Sequence, residues 1–371
     1  MISRLRKNRQ TIICHNPMKK RIDILRRKLL ADGLDAFLVT DLVNIKYLTG
    51  FTGSNGLLAV TAKKSLLITD FRYKDSAVKE TTGCKVLISR GGLFEALYTF
   101  GFLSKAYKVG FEGSISYQLG TKIKMLFSHA KLTAFEDYIE EFMTIKNYEE
   151  IKLTKKAIEI SDKVFIEALS FVKPGLTENE IAAELSYRMK KYGSEMDSFD
   201  IIVASGLNSS MPHAKVTNKK LKNNEALLLD FGACVGGYRS DMTRTIFIGK
   251  PKQEFLDIYQ IVLDAQNIAL DNARAGLLAE DFDGLARDYI TKKGYGKYFG
   301  HSLGHGVGLR IHERPRVSYL SKETLAENMI ITVEPGIYLP DKFGVRIEDN
   351  IIIKKNGSIN LTKSPKELIT L

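Results

Sequence analysis

The chemistry legible in this chain begins with two aspartates on either side of a glycine turn. Between Ala226 and Ile246, two strand-like runs flank Gly236-Gly237, with Asp230 on the first arm and Asp241 on the second. One hairpin register sets Asp230 opposite Asp241; the next makes them diagonal neighbours. In both registers the period of two puts the carboxylates on one face. Two negative charges that close repel unless a cation or a proton sits between them. A turn aspartate would account for one of them but not for the pair.

A histidine cluster follows. Three of the chain's six histidines, His301, His305 and His312, lie within twelve residues, interleaved with Gly300, Gly304, Gly306 and Gly308. A lone histidine is most often structural; three together point to metal or acid–base work, and the glycines let backbone approach closely. Two rival motifs fail on detail. His301 and His305 have zincin spacing, but Ser302 stands where the catalytic glutamate belongs and the glycines oppose a helix. Gly300-His301-Ser302-Leu303-Gly304 matches a nucleophile elbow, yet no acid lies between Ser302 and His312, so the order serine, acid, histidine cannot be met.

Two glutamates complete the set: Glu334 at a strand end before Pro335-Gly336, and Glu348 in Gly344-Val345-Arg346-Ile347-Glu348-Asp349-Asn350. Read as strand, that segment places Arg346, Glu348 and Asn350 on one face and Val345 and Ile347 on the other. A charge amid apolar strand is unfavourable to bury unless paired or metal-bound. An exposed face or an ion pair with Arg346 would explain either glutamate alone. Two aspartates, one histidine and two glutamates offer enough donors for two divalent cations. Oxygen-rich ligation with one imidazole suits manganese, cobalt or iron better than a thiol-rich structural zinc site. Such a pair can hold water as bridging hydroxide and polarise a carbonyl.

The elements around these residues read as an α+β chain. Residues 22–32 have helical periodicity, followed by β-like runs at Ala36–Val39, Leu57–Val60, Leu66–Ile68 and Val86–Ile88, so residues 18–143 form a small α/β domain. From 144 to 371 the order is two helices, sheet, two helices, sheet. A long helix starts near Ile151 and stops at Lys173-Pro174-Gly175; the next opens on the capping box Thr177-x-x-Glu180 and ends near Gly193. Further helices span about 252–273 and 279–293. Strands fall at Ile201–Ala204, Ala226–Asp230, Thr243–Ile248, Ile330–Val333 and Val345–Ile353. That order differs from the strict alternation of a dinucleotide fold and hints at two similar halves.

Composition excludes several classes. Hydrophobic residues at 44% and charged residues at 26% are globular averages, which removes disordered and collagen-like readings. No run approaches the ~18 apolar residues of a membrane helix. The three cysteines, Cys14, Cys84 and Cys234, form no disulfide framework or CxxC pattern, as expected in a reducing cytoplasm. The net charge is +12, but Arg4, Arg6, Lys7, Arg9, Lys19, Lys20 and Arg21 all precede Asp23, the first acid. The excess is therefore local, and nucleic acid is not an expected partner. Residues 1–17, too short in apolar content for a secretory signal, read as a disordered or spurious extension ahead of a start at Met18.

The ordered set Asp230, Asp241, His305, Glu334 and Glu348 resembles the five-ligand pattern of the pita-bread metallopeptidases: methionine aminopeptidase, Xaa-Pro aminopeptidase and Xaa-Pro dipeptidase (prolidase). The resemblance covers roughly residues 18–371. It implies a C-terminal pita-bread (creatinase/aminopeptidase) catalytic domain behind a creatinase-type N-terminal domain, the latter suggested by Asn44–Phe51 and Asp70-Phe71-Arg72-Tyr73. By that resemblance Asp230 chelates one cation, His305 and Glu334 the other, and Asp241 and Glu348 bridge. Manganese is the expected ion, with cobalt, zinc and iron as alternatives. His213, in Ser210-Met211-Pro212-His213-Ala214, resembles the substrate-binding histidine of the proline-specific branch. His312 resembles the group that stabilises the tetrahedral intermediate, His301 one lining the proline pocket, Arg346 the arginine beside the bridging carboxylates, and Glu334 the proton acceptor. Ala214 departs from the glycine common in relatives.

Within the group, methionine aminopeptidase usually lacks the N-terminal domain, and creatinase lacks the metal ligands. The implied reaction is hydrolysis of the bond between an N-terminal residue and a following proline, with Xaa-Pro aminopeptidase ranked ahead of Xaa-Pro dipeptidase. A non-catalytic pita-bread binding protein is the reading from another class, opposed by the intact ligand set. Expected partners are peptides with proline second and a second copy of the chain in a homodimer.

Overall fold

The computed structural model describes residues 17–371. The expected extension over residues 1–17 lies outside the described residues except for Pro17, which heads the first helix. The chain divides into two compact units, the first ending at Ile139 and the second running from Glu140 to Leu371.

The first unit alternates helix and strand: α1 (Pro17–Ala31), β1 (Ala36–Val39), α2 (Leu42–Thr49), β2 (Leu57–Thr61), β3 (Ser65–Asp70), α3 (Lys74–Glu80), β4 (Lys85–Ser89), α4 (Leu93–Thr99), β5 (Lys108–Glu112), α5 (Tyr117–Leu126) and β6 (Lys131–Phe135). The strands form one mixed sheet in the order β4-β3-β2-β1-β5-β6. Antiparallel hairpins join β1, β2 and β3, while β3–β4, β1–β5 and β5–β6 are parallel. Ala36, Leu38, Leu57, Ala59, Leu66 and Ile68 alternate onto one face, where Phe94, Leu97, Ile123 and Phe127 cover them. Asn44 is held by Glu112, whose Oε1 accepts its amide at 2.7 Å while Oε2 takes the Thr40 and Asp41 backbone N–H groups.

The second unit opens on α6 (Tyr148–Phe171) and α7 (Glu178–Lys191). Asn147 and Glu150 form a capping box that starts α6 one turn earlier than hydrophobic periodicity alone indicates. The Thr177–Glu180 box caps α7 as expected. Next come β7 (Ile202–Ser205), β8 (Glu225–Phe231), β9 (Cys234–Val235), β10 (Tyr238–Arg239) and β11 (Met242–Ile248). Strands β11-β8-β7 form an antiparallel sheet. Leu227, Leu229, Phe231, Met242, Ile246 and Ile248 pack on α6 and α7, so the alternate positions, Asp230 among them, face away from the helices.

Helices α8 (Gln253–Asn272) and α9 (Ala279–Lys292) are followed by β12 (Gly304–Gly306), β13 (Glu313–Val317), β14 (Ile330–Val333), β15 (Gly336–Leu339), β16 (Phe343–Arg346), β17 (Asp349–Lys354) and β18 (Gly357–Asn360). Five of these strands form the sheet β13-β12-β14-β17-β18, and β15 pairs with β16. Ile331, Val333, Ile351 and Ile353 join Phe255, Ile258, Val262, Phe282 and Ile290 in one core. Each such side chain contributes roughly 1.5–3 kcal/mol on burial. The outward alternates on the sheet, Thr332 and Asn350, are left for polar work.

The run Val345–Ile353, read above as one strand, is two. It breaks at Ile347-Glu348, between β16 and β17, which belong to different sheets. Glu348 spends its backbone N–H on the Thr243 carbonyl at 3.1 Å rather than on a ladder partner. Alternation survives the break: Val345 and Ile347 stay in the core, and Arg346, Glu348 and Asn350 point the other way.

Candidate metal centre

The hairpin fixes the first two carboxylates. Gly236 and Gly237 take φ of 62° and 84°, the two-residue turn of paired positive φ that matches strand twist. Tyr238 then faces Val235, and Thr243 faces Asp230. Asp230 and Asp241 are thus the diagonal neighbours of the second register, both 6% exposed. The two arms close tightly at Gly232, where a Cβ would stand 1.9 Å from the Ser240 carbonyl oxygen.

His305 comes from β12, squeezed between β13 and β14. A Cβ at Gly304 would lie 2.1 Å from the Thr332 carbonyl oxygen, and one at Gly306 would lie 2.2 Å from that of Arg314. A register shift between His305 and Gly306 turns the strand at the functional residue. His305 Nδ1 is 3.1 Å from the Gly306 carbonyl oxygen, which can only accept. Nδ1 therefore carries the proton, and Nε2 presents its lone pair 3.5 Å from Asp241 Oδ2 and 3.4 Å from Glu334 Oε1. Ligand atoms of Asp241, His305 and Glu348 all lie within 4.8 Å of one another.

The remaining members join through hydrogen bonds. Arg346 Nη2 donates to Asp230 Oδ2 at 2.5 Å, and its Nε donates to Thr243 Oγ1 at 2.9 Å. Thr243 in turn donates to Glu348 Oε2 at 2.7 Å. Thr332 Oγ1 accepts from His305 N and donates to Glu334 Oε1 at 3.2 Å. Arg346 Nη1 donates to Tyr338 Oη at 2.7 Å and to the Pro212 carbonyl at 3.1 Å, beside His213. His301 Nδ1 faces the Ser302 carbonyl at 2.9 Å, so it too is protonated there, and Nε2 accepts from Tyr338 at 3.0 Å. The His312 ring packs edge-on against His305 at 4.3 Å. His213 lies near enough to influence Asp230, His301 and His312 electrostatically.

All nine residues singled out from sequence therefore converge. Three others were missed, Tyr338, Thr243 and Thr332, while Asn350, set beside Arg346 and Glu348 by alternation, donates its amide to the Asp241 carbonyl. Thr243 and Thr332 carried a usable signal, each two residues from a site position, Asp241 and Glu334; Tyr338 had none.

Three buried carboxylates and the half-buried Glu334 share one guanidinium, which leaves three negative charges unbalanced. Burial pushes the carboxyls of Asp230, Asp241 and Glu348 upward, with mutual repulsion adding to the last two, and carries Glu334 up to about 8. Burial pushes His301 and His305 down to about 3. Asp230 Oδ1 and Glu348 Oε1 are buried with no hydrogen-bond donor. Unpaired anionic oxygens and a neutral imidazole lone pair converging on one point fit divalent cations, and two would offset the residual charge.

The sequence matches metallopeptidase family M24 over residues 152–355 and the creatinase/prolidase N-terminal domain over residues 21–142. It is 37% identical over 354 residues to an Xaa-Pro dipeptidase of Pyrococcus furiosus, covering 95% of this chain and 100% of the relative. A solved Xaa-Pro dipeptidase from Bacillus anthracis has a TM-score of 0.93 at 41% identity, covering 95% of this chain and 100% of that one. An X-Pro aminopeptidase from Thermotoga maritima has a TM-score of 0.89 at 37% identity, covering 94% and 99%. The architecture is a creatinase-type N-terminal domain followed by a pita-bread domain. With its fold, its carboxylate and histidine cluster and its relatives in agreement, the chain belongs to metallopeptidase family M24.

Proposed function

We propose that this enzyme hydrolyses the peptide bond that precedes proline, with Xaa-Pro dipeptides as its preferred substrates. The observation that carries the reading is the convergence of Asp241, His305 and Glu348 with Asp230 and Glu334 around a single arginine. In this reading Asp230 holds one divalent cation, His305 and Glu334 the other, and Asp241 and Glu348 both. The bound cations supply water activation and carbonyl polarisation.

The chain's own side chains do the rest. Arg346 favours the charged form of Asp230 against burial and orients it, and through Tyr338 it fixes the His301 ring as a wall for the proline. His312 is exposed and held neutral by burial of its inner edge and by His213, so it can donate to the developing oxyanion. Glu334 accepts the proton of the attacking water. His213 faces the same space and binds substrate. The target bond is a tertiary amide without an N–H, so recognition rests on the carbonyl and the ring.

Sequence alone ranks the aminopeptidase first. The relatives named Xaa-Pro dipeptidase and prolidase support the dipeptide instead, while the Thermotoga maritima neighbour keeps the longer substrate as the second reading. Manganese as the ion and a homodimeric assembly belong to the same proposal. Comparing kcat/KM for Ala-Pro and Ala-Pro-Ala-Ala tests it. Faster hydrolysis of the dipeptide supports the proposal, faster hydrolysis of the tetrapeptide supports the aminopeptidase, and no cleavage of either rejects proline specificity.

A further inference from the structure

The first unit contains a cavity of about 590 Å³ whose lining carries four cations and no carboxylate. Three separate elements bring those charges to one end of the sheet. Arg26 projects from α1. Lys63 and Lys64 form the β2–β3 turn, where Thr61 Oγ1 accepts the Lys64 N–H at 3.0 Å and donates to its carbonyl at 3.1 Å. Lys85 begins β4, in register with Leu66 on β3.

Three of the four cations are not paired within the fold. Lys63, Lys64 and Lys85 have no carboxylate partner among the described residues. Arg26 is aimed by two bonds, Nη1 to Asp23 at 2.9 Å and Nη2 to Ser65 Oγ at 2.7 Å, yet its Nε is buried with no acceptor. With Arg26 paired to Asp23, the three lysine charges around one concavity repel, and an anion within it relieves that repulsion. The rest of the lining includes apolar side chains: Leu66 is buried, Phe102 half-buried, and Phe100 keeps 54% of its surface exposed. Gly101, at φ 67°, turns the chain between the two phenylalanines.

We infer that this cavity binds a nucleoside di- or triphosphate, its phosphates against Lys63, Lys64, Lys85 and Arg26 and its base against Phe100 and Phe102. The volume lies within the range of small-molecule pockets, about 300–1,000 Å³, and well above what an inorganic ion fills. Unpaired lysines and exposed aromatic surface in one lining match the two halves of a nucleotide. The lining belongs wholly to the first unit, so the assignment stands apart from the metallopeptidase chemistry.

Calorimetric titration of the manganese-loaded full chain with ATP, adenosine and inorganic tripolyphosphate tests the assignment. The Lys63→Glu/Lys85→Glu double variant is run alongside, its melting profile checking that the fold is kept; heat from metal chelation is common to both proteins and cancels. The expected result is saturable binding of one ATP per chain, tighter than adenosine or tripolyphosphate and weakened at least about tenfold in the variant. Cys84 lines the same cavity, and its half-buried thiol gives a second readout. Saturating ATP slows alkylation of Cys84 by iodoacetamide, followed by mass spectrometry of its peptide, in the wild type and not in the variant. No saturable binding beyond that of the variant, tripolyphosphate binding as tightly as ATP, or Cys84 left unprotected would each overturn the proposal.

Discussion

Arg346 Nη2 grips Asp230 Oδ2 at 2.5 Å while the other oxygen of Asp230 is buried without a donor. The guanidinium thus takes one face of the carboxylate and leaves the second free for a cation. Burial opposes the charge of Arg346, but Tyr338, Asp230, Glu334 and Glu348 outweigh it and hold the group firmly protonated.

Replacing Arg346 with methionine removes the one cation that balances four carboxylates. Breaking a buried pair from one side costs about 3–5 kcal/mol. Turnover of Ala-Pro is expected to fall at least about a hundredfold. The manganese-loaded variant is expected to lose less stability than the chelated one, because added cations offset part of the exposed charge. Melting curves with and without chelator, beside steady-state kinetics, check both parts.

Tyr338→Phe deletes only the hydroxyl that joins Arg346 to His301. His301 Nε2 then loses its donor and the ring is held only by the Nδ1 bond to the Ser302 carbonyl. A drop of about tenfold to a hundredfold in kcat/KM is expected, consistent with losing a hydrogen bond to a charged group. Manganese content by elemental analysis should stay at the wild-type value. Loss of metal together with activity would assign Tyr338 to the ligand frame instead.

The pH dependence of the metal-free protein carries a definite sign. Folding raises the carboxyl of Glu334 from 4.5 to about 8 and lifts Asp241 and Glu348 in the same direction. The folded state therefore binds those protons more tightly than the unfolded one. That stability is complete below the ordinary carboxylate range and disappears as pH rises through about 8. His301 and His305, pushed down to about 3, act oppositely: their contribution is full above about pH 6.5 and shrinks as pH falls. Between about pH 7 and 9 the carboxylates, joined near the upper end by the Cys84 thiol that burial pushes from 9 up to about 12, titrate differently in the same direction, so the melting temperature of chelated protein should fall across that window. Manganese competes with the same protons and should raise the melting temperature more at the upper end. Calorimetry at matched ionic strength checks the slope.

Gly304→Ala probes the packing that presents His305. The new methyl would meet the Thr332 carbonyl oxygen at 2.1 Å, so backbone must move. Destabilisation of about 2 kcal/mol or more is expected in urea titration. Because Thr332 Oγ1 accepts the His305 N–H, metal affinity should weaken as well.

The residues of the site were legible because they stand in tight local contexts: aspartates astride a glycine turn, three of the six histidines among glycines, glutamates at strand ends. Alternation alone placed Asp230 and Asp241 on one face, yet left two registers open. The turn decides between them, since paired positive φ at Gly236 and Gly237 fixes which residues face each other. The break at Ile347-Glu348 was hidden, because inside–outside alternation runs unbroken through it and only the change of sheet ends the strand. Tyr338 and Arg346 meet through the β15–β16 pairing, with Gly336 opposite Arg346, a cross-strand contact that periodicity along one strand does not contain. The shift at His305-Gly306 is likewise set by the facing strand β13.

The most direct test is metal removal. Protein treated with a chelator and dialysed should retain no bound divalent ion and lose hydrolysis of Ala-Pro. Adding back manganese should restore activity as the bound ion rises to two per chain by elemental analysis. Undiminished hydrolysis by demonstrably metal-free protein would contradict the account at its centre.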